Sequence, residues 1–134
     1  MMDKEIRWKQ RFQNFIKANQ LLKEAIAINE PSDAEQAGII QFFEMSFELS
    51  WKLMKDYLES EGFVVKSPRE CVKEAFQAEI ISDGHIWMEA LEARNQTVHT
   101  YDKKIAEEVV NNIIHKYYPV INDLQNYLEK KLEE

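Results

Sequence analysis

The chain has 134 residues, 17 Lys and Arg against 24 Asp and Glu, a formal charge of −7 and a hydrophobic share of 45%. That length holds one domain, read here as 1–134, and the apolar share is enough for a core, which sets disorder aside. Only 3 Gly and 3 Pro exclude a Gly-rich phosphate loop and weigh against a hairpin-rich sheet protein. The acidic balance excludes a molecule that is polycationic overall, so any contact with a polyanion has to come from a local patch.

Cys71 is the single cysteine. It forbids an intrachain disulfide and fits a reducing compartment. No apolar run reaches the roughly 18 residues a membrane span needs. The start, MMDKEIRWKQ, lacks the apolar block of a signal peptide. These features predict a cytoplasmic, all-α protein with no membrane contact.

A first long helix is expected near residues 3–28. Trp8, Phe12, Phe15, Ile16, Leu22 and Ile26 recur on one broad helical face. The stretch Asn29-Glu30-Pro31-Ser32 breaks it, and Ser32 with Glu35 three positions on forms a capping box. The second long helix covers about 33–60. Its apolar residues, among them Phe42, Phe43, Phe47, Trp51 and Tyr57, exceed one stripe and predict burial from several sides or an oligomer interface. Gly62 is the expected stop, and Phe63-Val64-Val65 an extended connector.

Ser67-Pro68-Arg69-Glu70 reads as a helix start, with serine at N-cap, proline at N1 and glutamate at N3. This short third helix is expected to turn Cys71, Val72, Ala75 and Phe76 inward and to end near Ile80-Ile81. A fourth opens at Ser82-Asp83-Gly84, buries Ile86, Trp87, Ala90 and Leu91, and runs towards Arg94. The last begins at Asp102, shows Ile105, Val109, Ile113, Tyr117, Val120, Leu124 and Leu128 on one face, and should kink at Pro119. The expected architecture is an up-and-down bundle of three long and two short helices.

Charge is uneven along the chain. Residues 1–23 carry six Lys or Arg against two acids, whereas residues 24–62 carry nine acids against two lysines. These are either two differently solvated faces or a basic strip able to guide a polyanion.

The three histidines, His85, His99 and His115, follow Ser82, Gln96 and Asn112 at the i−3 position, so none completes the Glu-x-x-His pair of a bundle metal site. No metal or other cofactor is expected. Glu44 and Glu48, one turn apart, read as a polar edge. Cys71 sits at an apolar helical position, where thiols are inert packing.

The segment from Glu92 to Asp102 is different. It joins two helices without Gly or Pro and gathers Arg94, Asn95, His99 and Tyr101. Histidine exchanges protons near neutrality, and arginine holds a phosphoryl group through paired donors while charge builds on it. Together they suffice for RNA cleavage without metal, by attack of a ribose 2′-hydroxyl on the adjacent phosphorus. Asn95 could orient either group, and Tyr101 would share a side with His99 if the chain is extended there. The alternative is structural: Arg94 pairs with an acid, His99 caps a helix end and Tyr101 packs.

Four ordered motifs bear on that choice: Phe43-Glu44-Met45-Ser46-Phe47-Glu48-Leu49-Ser50-Trp51-Lys52, Ser67-Pro68-Arg69-Glu70, Asp83-Gly84-His85-Ile86-Trp87, and Arg94-Asn95-Gln96-Thr97-Val98-His99-Thr100-Tyr101. From about Phe12 to Tyr118 the chain resembles the nucleotidyltransferase substrate-binding proteins of the HEPN superfamily, which include the HepT-type toxins. The resemblance implies a helical homodimer and a separate minimal nucleotidyltransferase as partner. It further implies metal-independent cleavage of RNA in a cleft between subunits. Carried over by position, Arg94 binds the scissile phosphate, His99 transfers protons, Asn95 is the polar residue beside the arginine, and Tyr101 is the tyrosine that the partner adenylylates. A second implication is a non-catalytic subunit that docks substrate for the transferase.

Overall fold

The computed structural model describes residues 3–134, and of Val98 the backbone alone. Its elements are α1 (Lys4–Ile26), α2 (Asp33–Ser60), α3 (Pro68–Gln77), α4 (Gly84–Gln96), a 3-10 turn (Thr97–His99), α5 (Lys103–Asn112), a π-helical turn (Ile113–Tyr117) and α6 (Tyr118–Glu133). No strand occurs among the described residues. Counting α5, the π turn and α6 as one rod gives the expected helical bundle of three long and two short members.

The caps explain where the helices begin. Ser32 accepts from the Glu35 amide while the Glu35 carboxylate accepts from the Ser32 amide, at 3.1 and 2.9 Å. Ser67 accepts from the Glu70 amide at 3.2 Å with Pro68 behind it, where a missing N–H costs nothing. At the end of α2, Gly62 takes φ +96°, and the amides of Phe63 and Gly62 reach back to the carbonyls of Leu58 and Glu59. That pair of bonds needs a left-handed residue, which glycine supplies without a Cβ clash.

The α3 terminus repeats this geometry with Glu79 at φ 61°. The helix therefore stops at Gln77, earlier than the apolar pattern suggests. Ile80 and Ile81 are still buried, but from the connector. A second correction concerns Phe76, expected inward yet 50% exposed. Cys71, Val72 and Ala75 fill the inner face of this short helix, which leaves Phe76 outside it.

Helix α2 is central and touches α1, α3, α4, α5 and α6. Phe43 and Phe47 are fully buried and Tyr57 nearly so, while Phe42, Leu49 and Trp51 pack at the margin of the same core. Most of the apolar excess of α2 is thus consumed inside the single chain. Trp8, Phe12, Phe15 and Leu22 of α1 pack on the same interior, and Arg11 Nε donates to the buried carboxylate of Asp56 at 2.6 Å.

The irregularity in the last rod lies one turn before Pro119, rather than at it. Proline lacks the N–H that would bond the carbonyl four residues back, and its ring crowds that carbonyl. The rod answers with the wide π turn over Ile113–Tyr117 and then resumes α geometry. Among the described residues no helix is long and apolar enough to cross a membrane.

Candidate active site

Arg94 and Asn95 occupy the last turn of α4, so the segment that carries them is helix and not loop up to Gln96. Beyond it the chain tightens. Thr97 Oγ1 donates to the Arg94 carbonyl at 2.8 Å, Thr100 Oγ1 donates to the Thr97 carbonyl at 2.7 Å, and the Asp102 amide donates to the His99 carbonyl at 3.1 Å. Asp102 then caps α5 by accepting from the amides of Lys104 and Ile105. Two threonines and one aspartate thereby satisfy a junction that has no glycine.

This local folding corrects the extended geometry expected around Tyr101. His99 ends the 3-10 turn and Tyr101 follows in a further turn. Their rings still meet edge to face, with centroids 6.3 Å apart. Tyr101 is 86% exposed, so it does not pack, and His99 is exposed as well. The two open onto different recesses. His99 borders a groove of about 580 Å³ between α4, α5 and the π turn, with Gln96, Asn112 and Lys116. Tyr101 borders a smaller one between the N-terminal ends of α2 and α5, with Asp33 and Lys103.

Arg94 is held most firmly. Nη1 donates to Glu48 Oε2 at 2.8 Å, Nη2 to Asn95 Oδ1 at 3.3 Å, and Cζ lies 5.9 Å from the centroid of the Phe47 ring. A guanidinium over an aromatic face and against a carboxylate is stabilised by both. The acid is Glu48, which reads from sequence as a polar edge because its partner lies 46 positions away. Glu48 is itself fixed: Trp51 Nε1 donates to Oε2 at 3.2 Å and Lys52 Nζ stands 3.1 Å from Oε1. Partial burial pushes the Glu48 carboxyl up. Hydrogen bonds from Lys52 and Trp51, with the charges of Lys52 and Arg94, outweigh that and hold it below its ordinary value.

The geometry thus brings Arg94, Asn95 and Glu48 into direct contact and His99 beside Tyr101. No hydrogen bond joins the two groups among the described residues. The Arg94 side chain is 26% exposed, so both the guanidinium and the imidazole are reachable from solvent. Such an arrangement can receive an anion at Arg94 and exchange a proton at His99. At the far side of the groove Tyr117 Oη donates to Glu89 Oε2 at 3.1 Å, and Lys116 Nζ pairs with the same oxygen at 3.3 Å. Burial, with that hydrogen bond to Glu89, pushes the Tyr117 hydroxyl well above its ordinary value. Among the described residues no three His, Cys, Asp or Glu side chains converge as a metal site would require.

Comparison with known proteins adds to this geometry. The family model described as "Nucleotidyltransferase substrate binding protein like" matches residues 10–130. A curated relative, "Probable ribonuclease HepT" from Haemophilus influenzae, is 34% identical over 82 residues, which cover 58% of this chain and 56% of the relative. The chain therefore matches little more than half of that relative's length. A crystal structure of a protein from Thermus Thermophilus shares the fold with a TM-score of 0.76 at 28% identity, covering 90% of this chain and 99% of that one.

Proposed function

We propose, for a chain that belongs to the nucleotidyltransferase substrate binding protein like family, the role of a HepT-like HEPN endoribonuclease. It cleaves RNA without a metal ion and is neutralised by a minimal nucleotidyltransferase partner. The observation that carries this reading is a clamped, solvent-reachable Arg94 in the last turn of α4, followed by an exposed His99 on the next turn of the chain. The name of the Haemophilus influenzae relative, a probable ribonuclease, points the same way.

In this reading the ribose 2′-oxygen attacks the adjacent phosphorus, and the bond from phosphorus to the 5′-oxygen breaks. The products are a 2′,3′-cyclic phosphate and a 5′-hydroxyl. One imidazole takes the 2′-hydroxyl proton and a second, protonated imidazole supplies one to the departing 5′-oxygen. A homodimer with its two-fold axis near the α4–α5 junction supplies both, and brings two guanidinium groups to bear on the phosphoryl oxygens as negative charge grows there. Doubling Arg94 at one place also lets an acidic molecule accept RNA locally. Asn95, which accepts from Arg94, supports its orientation. Tyr101, projecting into solvent, is the hydroxyl that the partner adenylylates. A nucleotide added there stands beside His99 and blocks access to it.

The test is cleavage of an RNA oligonucleotide by the purified chain, with Arg94→Ala and His99→Ala alongside. Each variant is expected to lose about 100-fold or more in rate. Cleavage at the parental rate in both would remove the ribonuclease reading. The runner-up, a non-catalytic subunit that docks substrate for the transferase, is favoured by one observation, that Arg94 already has a carboxylate partner in Glu48. It requires that the transferase act on a third molecule only when this chain is present.

A further inference from the structure

The α2 segment around Glu48 holds more restraint than a helix-to-helix contact needs. The interior side of the α2–α4 contact is already made by Phe47 and Trp87, both buried, with ring centroids 5.9 Å apart. A half-exposed ion pair adds little to such packing. Yet both oxygens of the Glu48 carboxylate are engaged from its own helix, Oε1 by Lys52 and Oε2 by Trp51, before Arg94 arrives. A carboxylate held at both oxygens is restrained in orientation, and its remaining lone pairs point in fixed directions. What it accepts is Nη1 of Arg94, while the guanidinium rests on the ring of Phe47, the residue next to Glu48.

We infer that Glu48 is a positioning residue for Arg94, setting the direction in which the guanidinium is offered to a phosphate. Of the five N–H donors of a guanidinium, one goes to Glu48 and one, at the longer distance of 3.3 Å, to Asn95. Engagement of Nη1 leaves the edge formed by Nε and Nη2, the fork that binds a phosphoryl group through two parallel hydrogen bonds. Nε has no partner among the described residues, and the Asn95 contact on Nη2 is the one an incoming oxygen displaces. Glu48 thus restrains the arginine from the side the anion does not use, and Trp51 and Lys52 restrain Glu48.

This inference rests on the reading of Arg94 as the phosphate-holding group, and the experiment separates the two. Single-turnover cleavage of an RNA oligonucleotide is measured for the full chain and for Glu48→Ala, Glu48→Gln, Arg94→Ala and Glu48→Ala/Arg94→Ala. In parallel, the Arg94 side-chain Nε–H signal is followed by NMR in the parent and in both Glu48 variants, assigned by its disappearance in Arg94→Ala. Glu48→Ala is expected to lower the cleavage constant by about 100-fold with KM changed by less than about threefold, and to broaden the Nε–H signal. Glu48→Gln keeps an acceptor oxygen and should recover about tenfold of that loss. In the Arg94→Ala background, Glu48→Ala should cost nothing further, since it acts only through the guanidinium.

Equal losses in both backgrounds overturn the inference, as does an unchanged rate in Glu48→Ala with an unchanged signal. If the parent cleaves no RNA, the ribonuclease reading falls. Glu48 as the group that orients Arg94 is then decided by the Nε–H signal alone, and a sharp signal in Glu48→Ala overturns it.

Discussion

Phe43 of α2 and Tyr117 of the π turn stack with centroids 5.4 Å apart and planes 27° apart, and Tyr117 carries the contact onward to Glu89 of α4 through its hydroxyl. Three elements that surround the candidate site are therefore tied by one ring pair and one hydrogen bond. Removing the ring should cost far more than removing the hydroxyl. Phe43→Ala empties a fully buried site and is expected to destabilise by about 3–5 kcal/mol. Tyr117→Phe, which keeps the stack, should cost about 0.5–1.5 kcal/mol. Urea unfolding of the two variants measures the difference, and equal losses would contradict this ranking.

Acid should release Arg94 before it unfolds the core. Glu48 has its carboxyl held below the ordinary value, so the stability it adds is present above the pKa of the unfolded chain and is lost as pH falls through the lower folded value. Because the side chain is 40% exposed, that contribution is small, about 0.2–1 kcal/mol. The gap in thermal midpoint between the parent and Glu48→Gln is expected to stay level from neutral pH to mildly acid solution and to close in stronger acid. A gap that widens as pH falls has the wrong sign.

Cys71 serves as an internal gauge of opening. Burial pushes its thiol up to about 12, and Sγ donates to the Trp51 carbonyl at 3.4 Å. The stability linked to a raised thiol pKa is fully present below the ordinary thiol range and is lost progressively as pH climbs from that range to about 12. Iodoacetamide in mildly alkaline solution should therefore leave Cys71 unmodified in the folded chain and label it once urea unfolds α3. Prompt labelling without denaturant would mean that α3 detaches locally.

Tyr101 separates modification from folding. At 86% exposure its substitution to phenylalanine should shift stability by no more than about 0.5 kcal/mol. With the nucleotidyltransferase partner and ATP, mass spectrometry is expected to find added adenylyl on the peptide that contains Tyr101. Tyr101→Phe should abolish the addition, and an unmodified parental peptide would count against Tyr101 as the acceptor.

Chelation offers a further check on chemistry. Cleavage carried by a guanidinium and an imidazole needs no divalent ion, so EDTA should leave the rate of the parent chain unchanged. Loss of cleavage in EDTA, recovered by a divalent cation, would assign the chemistry elsewhere.

The elements are legible wherever a local signal agrees with an apolar face. Ser32 with Glu35, Ser67 with Pro68, and Gly62 each mark a helix boundary through bonds within a few residues. Phe76 departs from its expected inward position because a short amphipathic helix offers several apolar positions and only packing decides which turn inward. Glu79 stops α3 early by adopting a backbone conformation that its residue type does not announce. In the candidate site, Arg94, Asn95, His99 and Tyr101 are visible as an unusual grouping in one short segment. Glu48 is not, because a contact across 46 positions leaves no trace in spacing. Its one visible hint is local, with Trp51 and Lys52 at the i+3 and i+4 positions that can hold a carboxylate in place.

Phe47 belongs to two worlds at once: one ring neighbours Trp87 in the interior and underlies the cation at the rim. A change that repacks the middle of this protein through Phe47 will also retune the seat of Arg94. The packing of the interior and the placing of the Arg94 guanidinium therefore depend on the same side chain. Lineages that harden or soften their interior at this point should show an altered seat for Arg94 with no substitution among the polar residues themselves.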